Sequence, residues 1–165
     1  MIRWRSWLLA SLIVVPSLLV QAEVSKPSFE SLRDKAMTMS EIQSDALNSK
    51  IGNSKVKWWG VVSGIEKNFF GGMYEVNFKV NPACSPQEFS VDVGVENAAE
   101  IDTGRQAGMI VRINFSATLS HLFRWEGQIC PDLEDIEAIR FQALADPTEA
   151  DRRRAYDTTW EPKKH

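Results

Sequence analysis

The segment AGMIVRINFSATL, residues 107–119, decides the fold class of this chain. Its apolar side chains alternate with polar ones, at Val111, Ile113, Phe115, Ala117 and Leu119. A period of two is typical of a β-strand that buries one face and exposes the other. The segment therefore predicts a half-buried strand, which the chain enters through a turn at Ala107-Gly108.

Three more strands are predicted before this one. Residues 56–65 are rich in Trp and Val, and residues 73–80 and 89–95 alternate between apolar and polar side chains. The acidic residues 96–106 are interpreted as a short connection to the fourth strand. This order predicts a mainly β domain.

The segment after the fourth strand is predicted to be a long loop. Residues 120–134 combine Gly, Pro, acids and three aromatic residues. A fifth strand is then predicted over residues 136–143, because Ile139, Phe141 and Ala143 alternate with polar residues. The same segment would also fit a helix, since Leu133, Ile136 and Arg140 recur at helical spacing.

Helices are predicted on both sides of the strands. Ser40 and Gln43 have the spacing of a capping box, which predicts a helix over residues 40–51 that ends at Gly52. Residues 23–39 form an N-terminal segment with a short helix, because Phe29, Leu32 and Ala36 recur every three or four residues. Asp146-Pro147 favours the start of a short peripheral helix in the charged C-terminal tail, residues 146–165. The main domain is expected over residues 40–145.

The first 22 residues resemble a secretory signal peptide. Arg3 and Arg5 precede an apolar run that is shorter than the 20 or so residues of a membrane span, and Val20 and Ala22 suit a signal peptidase. Cleavage after Ala22 is expected, and an uncleaved N-terminal anchor is the alternative. The predicted location is periplasmic or secreted, with no membrane span after cleavage.

The charge of the predicted mature chain argues against a nucleic-acid binder. Removing the first 22 residues removes two arginines and no acid, which leaves 17 basic and 22 acidic residues and a net charge of −5. A surface that binds phosphates needs clustered Lys and Arg. The clusters Arg152-Arg153-Arg154 and Lys163-Lys164 are interpreted as parts of a solvated tail.

Two cysteines in an exported chain favour a disulfide bond, because such compartments are oxidising. Cys84 and Cys130 are the only pair available. Two free buried thiols are the alternative.

The ordered pattern from Ser40 to Ala143 resembles small exported bacterial proteins with an OB-fold, of the tRNA-anticodon-domain-like kind. The resemblance rests on the capped helix, on "KVKWWGVVSGI", "MYEVNFKV" and "FSVDVGV", and on the fourth strand. It implies a five-stranded barrel in which the third and fifth strands run side by side and parallel. Cys84 and Cys130 precede those two strands, so the resemblance also brings them together. The long 120–134 segment and the tail after Asp146 depart from the pattern.

No familiar enzyme motif is present in the sequence. The two histidines are His121 and His165, and neither a nucleophile elbow, a P-loop nor a dinucleotide motif occurs. Acidic residues between 132 and 137 lack the spacing of a calcium loop and are interpreted as solvated. We therefore expect a non-catalytic protein with no cofactor and no metal.

Aromatic residues in two predicted loops are the candidate binding residues. OB-folds usually bind ligands through the loops that join strands one to two and four to five. These loops hold the candidates Lys67, Phe69, Phe70, His121, Phe123, Arg124 and Trp125. The alternative is that Phe70, Phe123 and Trp125 plug the end of the barrel.

These observations predict a binding or adaptor module in the cell envelope or outside the cell. Its expected partner is a protein, a peptide or a glycan, held by the aromatic loops. The alternative is a structural subunit of a cell-envelope or secretion assembly.

Overall fold

The structure is a computed structural model that describes residues 27–156, apart from residues 69, 70 and 86. The predicted signal peptide and the last nine residues of the tail lie outside the described residues. The elements, in chain order, are α1 (Phe29–Met37), α2 (Glu41–Ile51), β1 (Ser54–Lys67), β2 (Tyr74–Lys79), β3 (Phe89–Val93), α3 (Val95–Gln106), β4 (Ile110–Trp125), β5 (Gln128–Leu144) and α4 (Glu149–Tyr156).

The five strands form one antiparallel sheet in the order β3-β2-β1-β4-β5. The mainly β class is confirmed, and the segment 136–143 is a strand within β5 and not a helix. Because every neighbouring pair is antiparallel, the two edge strands β3 and β5 run in the same direction. The predicted disulfide is confirmed, with Cys84 before β3 bonded to Cys130 in β5.

The buried face of the sheet follows the predicted alternation. Ile113, Phe115, Ala117 and Leu119 are fully buried, and Trp58 of β1 packs against Phe29 of α1 with ring centroids 5.4 Å apart. Gly60 lets β1 pass close to β2, because a Cβ there would lie 2.7 Å from the Lys79 carbonyl oxygen.

Helix α2 begins as the capping box predicts. The Ser40 hydroxyl accepts from the Gln43 amide, and the Gln43 side chain accepts from the Ser40 amide at 3.0 Å.

The predicted long loop over residues 120–134 is wrong. β4 continues to Trp125 and β5 begins at Gln128, so the segment is a hairpin closed by Glu126 and Gly127. Both turn residues have positive φ, as a tight two-residue hairpin turn requires. Pro131 is tolerated because β5 is an edge strand, where one side of the backbone needs no ladder partner.

The predicted acidic connection after β3 is also wrong, because residues 95–106 form helix α3. The third strand ends at Val93, two residues earlier than expected. Ala98, Ile101 and Gly104 form the buried face of α3. Gly104 lets α3 approach the sheet, since a Cβ there would lie 2.9 Å from the Ala143 side chain.

Part of the predicted solvated tail is buried. Helix α4 lies against β1 and β4, and Arg154 is only 2 % exposed whereas Arg152 is exposed. The Arg154 guanidinium stacks 3.8 Å from the centroid of the Trp59 ring, donates to the Trp59 carbonyl and pairs with Glu30 of α1. Burial lowers the pKa of Arg154 to about 10, so the side chain is still charged at neutral pH.

A second ion pair fixes α4 to β4. The guanidinium carbon of Arg112 lies 4.3 Å from the centroid of the Trp59 ring. The same guanidinium donates to Asp151, which is almost fully buried. Burial alone would raise the pKa of Asp151, but hydrogen bonds from Thr148 and Arg112 outweigh it and hold the pKa below its usual value. Trp59 is therefore covered by arginines of β4 and α4.

Candidate functional site

The candidate site is the far end of the β4–β5 hairpin. Leu119 is opposite Ser54, the first residue of β1, so the part of β4 beyond Leu119 pairs only with β5. His121, Phe123 and Trp125 lie on this two-stranded extension. The hairpin thus carries them past the end of the main sheet.

Helices α1 and α2 hold the hairpin from one side. The Asn48 side chain donates to the Leu122 carbonyl at 2.8 Å and accepts from the Leu122 amide at 2.9 Å. The Arg124 guanidinium donates to the carbonyls of Ala36 and Met39, 3.1 and 3.4 Å away. These carbonyls lie near the C-terminal end of α1, where a cation is stabilised by the helix dipole. In this structure Arg124 therefore anchors the hairpin to α1.

The connection between β2 and β3 holds the hairpin from the other side. Cys130 is opposite Phe123 and is bonded to Cys84. Asn81 donates to the Ile129 carbonyl at 3.1 Å, and Gln87 donates to the Pro131 carbonyl at 2.7 Å. The hairpin end is therefore fixed by one covalent bond and by side-chain hydrogen bonds from both sides.

Trp125 is held at the tip and is 46 % exposed. It borders a cleft of about 350 Å³ that is also lined by Phe123, by the disulfide and by Ser85, Gln87 and Glu88. The barrel-plug alternative is wrong for Trp125, because a plug would be buried. Phe123 is half-buried.

Two buried acceptors lie next to Trp125. The side-chain carbonyl oxygens of Gln87 and Gln128 have no hydrogen-bond partner within the described part of the chain. Gln87 lines the cleft and Gln128 is opposite Trp125 in the hairpin. An unpaired buried acceptor costs about 1–3 kcal/mol, so these two oxygens reduce the stability of this part of the fold.

His121 lies two residues before Phe123 in β4, so its side chain is on the same face of the hairpin as those of Phe123 and Trp125. Its Nδ1 atom lies 3.3 Å from a carboxylate oxygen of Asp132, and its ring is 5.8 Å from the ring of Phe123. Together with α1 and α2 it lines a second cavity of about 550 Å³, to which Glu41 and Asp45 add carboxylates. His121 is half-exposed and accessible to a partner.

The structure separates Lys67 from the other described candidates. Lys67 is opposite Tyr74 at the far end of β1, whereas the hairpin end extends beyond the first residue of β1. Phe69 and Phe70 lie outside the described residues. The sequence analysis missed Gln87, Glu88 and Asn48, because no motif marks them. The one signal in the sequence is the cysteine pair, since a bond between Cys84 and Cys130 brings the residues that follow Cys84 to the hairpin.

The described residues contain no group of three or more His, Cys, Asp or Glu side chains that could hold a metal ion. Among the described helices, none is long and apolar enough to cross a membrane. Comparison with family models, with curated proteins and with solved structures gives no match for this chain.

Proposed function

We propose that this chain is an exported, non-catalytic binding or adaptor module that holds a protein or peptide partner at the tip of the β4–β5 hairpin. The observation that carries the proposal is the half-exposed Trp125, held on a hairpin that is fixed from both sides. Tryptophan is among the side chains that most often dominate the binding energy of protein interfaces.

Rigidity of the hairpin supports this function. A side chain that is already ordered loses little conformational entropy when a partner binds. The cleft beside Trp125 offers an apolar surface formed by Phe123 and the disulfide. An apolar side chain of a partner would fit this surface.

Export and the OB-fold are parts of the same proposal. The disulfide is consistent with an oxidising compartment, as is the signal-like N-terminus. The strand order, with β3 and β5 parallel at the two edges and a disulfide between them, supports an OB-fold barrel. The mature protein would then begin at Glu23 and be located in the periplasm or outside the cell.

Site-specific photo-crosslinking in the native host tests the proposal. The photoreactive residue benzoylphenylalanine replaces Trp125 in one strain and Tyr156 in a control strain, and crosslinked species are identified by mass spectrometry. Tyr156 is a suitable control because it is a 71 % exposed aromatic on α4, away from the hairpin. A defined protein or peptide partner is expected at position 125 and not at position 156.

Other outcomes separate the alternatives. A crosslink from position 125 into a stoichiometric membrane complex would favour the structural subunit of an envelope assembly. Equal crosslinking from both positions, or none from position 125, would contradict the hairpin tip as a recognition surface.

A further inference from the structure

The cleft beside Trp125 combines an aromatic surface with a carboxylate. Phe123 and Trp125 are two residues apart in β4, so both side chains lie on one face of the hairpin. The cleft that they line together with the disulfide has a volume of about 350 Å³, and Glu88 also lines it. Ligand sites have volumes of about 300–1,000 Å³, so this small cleft has room for one long side chain of a partner.

The ring of Trp125 has no stacking partner within the described part of the chain. No ring pair and no contact between a cation and a ring of the described residues includes Trp125. The face of an aromatic ring is electrically negative, so it attracts a cation that lies within about 6 Å of its centre. The exposed part of the ring can therefore receive a cation from another molecule.

Trp59 shows how the same kinds of group are arranged inside this protein. The guanidinium carbons of Arg154 and Arg112 lie 3.8 and 4.3 Å from the centroid of its ring. Each guanidinium also pairs with a carboxylate, of Glu30 and Asp151 respectively. The cleft at the hairpin tip has a Trp ring and a carboxylate, but none of its described lining residues is an arginine.

Glu88 can accept a second cation. Its side chain is 40 % exposed, and the ammonium of Lys79 lies 3.5 Å from its Oε1 atom. Lys79 does not line the cleft. A carboxylate offers about four lone-pair sites and can accept two N–H groups of one guanidinium. A guanidinium in the cleft can therefore pair with Glu88 without displacing Lys79.

An arginine matches these groups better than a lysine or an apolar residue does. A guanidinium is planar, weakly hydrated and stacks on aromatic rings, whereas an ammonium is compact and strongly hydrated. The methylene stem of an arginine can lie along the apolar surface of Phe123 and the disulfide. A leucine would contact this apolar surface, but it would use neither the charge of Glu88 nor the attraction of the Trp125 ring for a cation.

We propose that this cleft binds an arginine side chain of the partner, with the guanidinium stacked on Trp125 and paired with Glu88. The inference rests on the proposed function, because it names the residue that the hairpin tip recognises. The arrangement repeats the one at Trp59, with the guanidinium supplied by a second molecule.

NMR titration of the full mature chain with short peptides tests the proposal. The probe is a blocked pentapeptide with one arginine between glycines, and the control peptides replace the arginine with citrulline, lysine or leucine. Citrulline keeps the planar end of the side chain and removes its charge. The arginine peptide should shift the indole N–H signal of Trp125 and should bind at least about threefold more tightly than each control peptide.

Variants of the acidic residues test the role of Glu88. Glu88→Gln removes the charge from the cleft and should weaken binding of the arginine peptide about three- to fivefold, with no comparable loss for the leucine peptide. The matched control is Glu96→Gln, which removes the same charge from an exposed position on α3 that does not line the cleft. This control should change the affinity less than about 1.5-fold, because distant exposed charges are screened.

Variants of Trp125 test the role of the ring. Trp125→Leu keeps an apolar side chain without a ring and should weaken binding of the arginine peptide about fivefold. Trp125→Phe keeps a ring and should lose no more than about twofold. Each variant is used only if its amide spectrum outside the cleft matches that of the parent, which shows that the fold is intact.

Several results would overturn the inference. Equal binding of the arginine and leucine peptides would overturn it and leave the apolar contact of the proposed function in place. Equal binding of the arginine and citrulline peptides, an affinity unchanged by Glu88→Gln, tighter binding of the lysine peptide, or no binding of the arginine peptide at millimolar concentration would also overturn it. Failure of the proposed function gives a different result, in which position 125 yields no crosslinked partner in the host although the purified chain binds the arginine peptide.

Discussion

Arg154 holds α4, α1 and β1 together, and its removal should destabilise the protein strongly. Arg154→Ala deletes a charged hydrogen bond to the Trp59 carbonyl, the contact with the Trp59 ring and the ion pair with Glu30. Removing one partner of a buried ion pair costs about 3–5 kcal/mol. The Glu30 side chain is 30 % exposed and can regain water, which places the expected loss near the lower value, about 3 kcal/mol.

Urea and thermal unfolding of the purified mature protein measure this loss. For a chain of this size, about 3 kcal/mol corresponds to a decrease of about 10 °C in Tm. The matched control is Arg153→Ala, one residue earlier on α4. Arg153 is 41 % exposed and pairs with Glu149 in solvent, so its removal should cost no more than about 0.5 kcal/mol.

The comparison of the two arginine variants can refute the reasoning. If Arg154→Ala and Arg153→Ala lower the unfolding free energy equally, the burial of Arg154 against Trp59 does not stabilise α4. A large loss in both variants would have the same meaning, because only Arg154 has buried partners.

Four further outcomes are expected. Cys84→Ser should lower stability by about 4 kcal/mol in urea unfolding, because the bridge closes a loop with a sequence separation of 46; a variant as stable as the parent would contradict this. Trp125→Ala should lower the free energy of unfolding by only about 1–2 kcal/mol in the same assay, since the side chain is half-exposed. A loss of about 3 kcal/mol or more, which is typical of a core residue, would mean that the side chain is buried. The pKa of Asp151 in the folded protein is below its ordinary value of 3.8, so its contribution to stability is present above pH 3.8 and is lost as the pH falls through the folded pKa. Asp151→Asn should therefore reduce the decrease of Tm with falling pH between about pH 5 and pH 2. Intact-mass analysis of the exported protein should find a chain that begins at Glu23, and a chain that retains Met1 would contradict export by cleavage.

Local sequence patterns were sufficient to predict the elements that depend only on residues close to each other in the chain. The Ser40 and Gln43 spacing places the start of α2, because both capping hydrogen bonds form within four residues. Alternation over residues 111–119 predicts β4, because a half-buried strand needs only a consistent inner face. The disulfide followed from composition, since the chain offers a single cysteine pair.

The candidate site was predicted only in part. His121, Phe123 and Trp125 do lie together, but on a hairpin and not in a loop. The turn signal at Glu126-Gly127 is short, and Pro131 argues against a strand unless the strand is known to be an edge. Lys67 was grouped with them because loops were assumed to share one end, whereas register puts it at the other end of β1.

Sequence by itself determined the alternating strands, the capped helix and the disulfide bond. The strands and the helix depend on residues that are close in the chain, and the disulfide depends on the only two cysteines. Only the tertiary structure decided which neighbours become buried. Among three consecutive arginines, Arg154 is buried because α4 turns that one side chain toward the Trp59 ring and Glu30. Helix α3 shows the same dependence, since its small buried face becomes favourable only when the sheet is there to cover it.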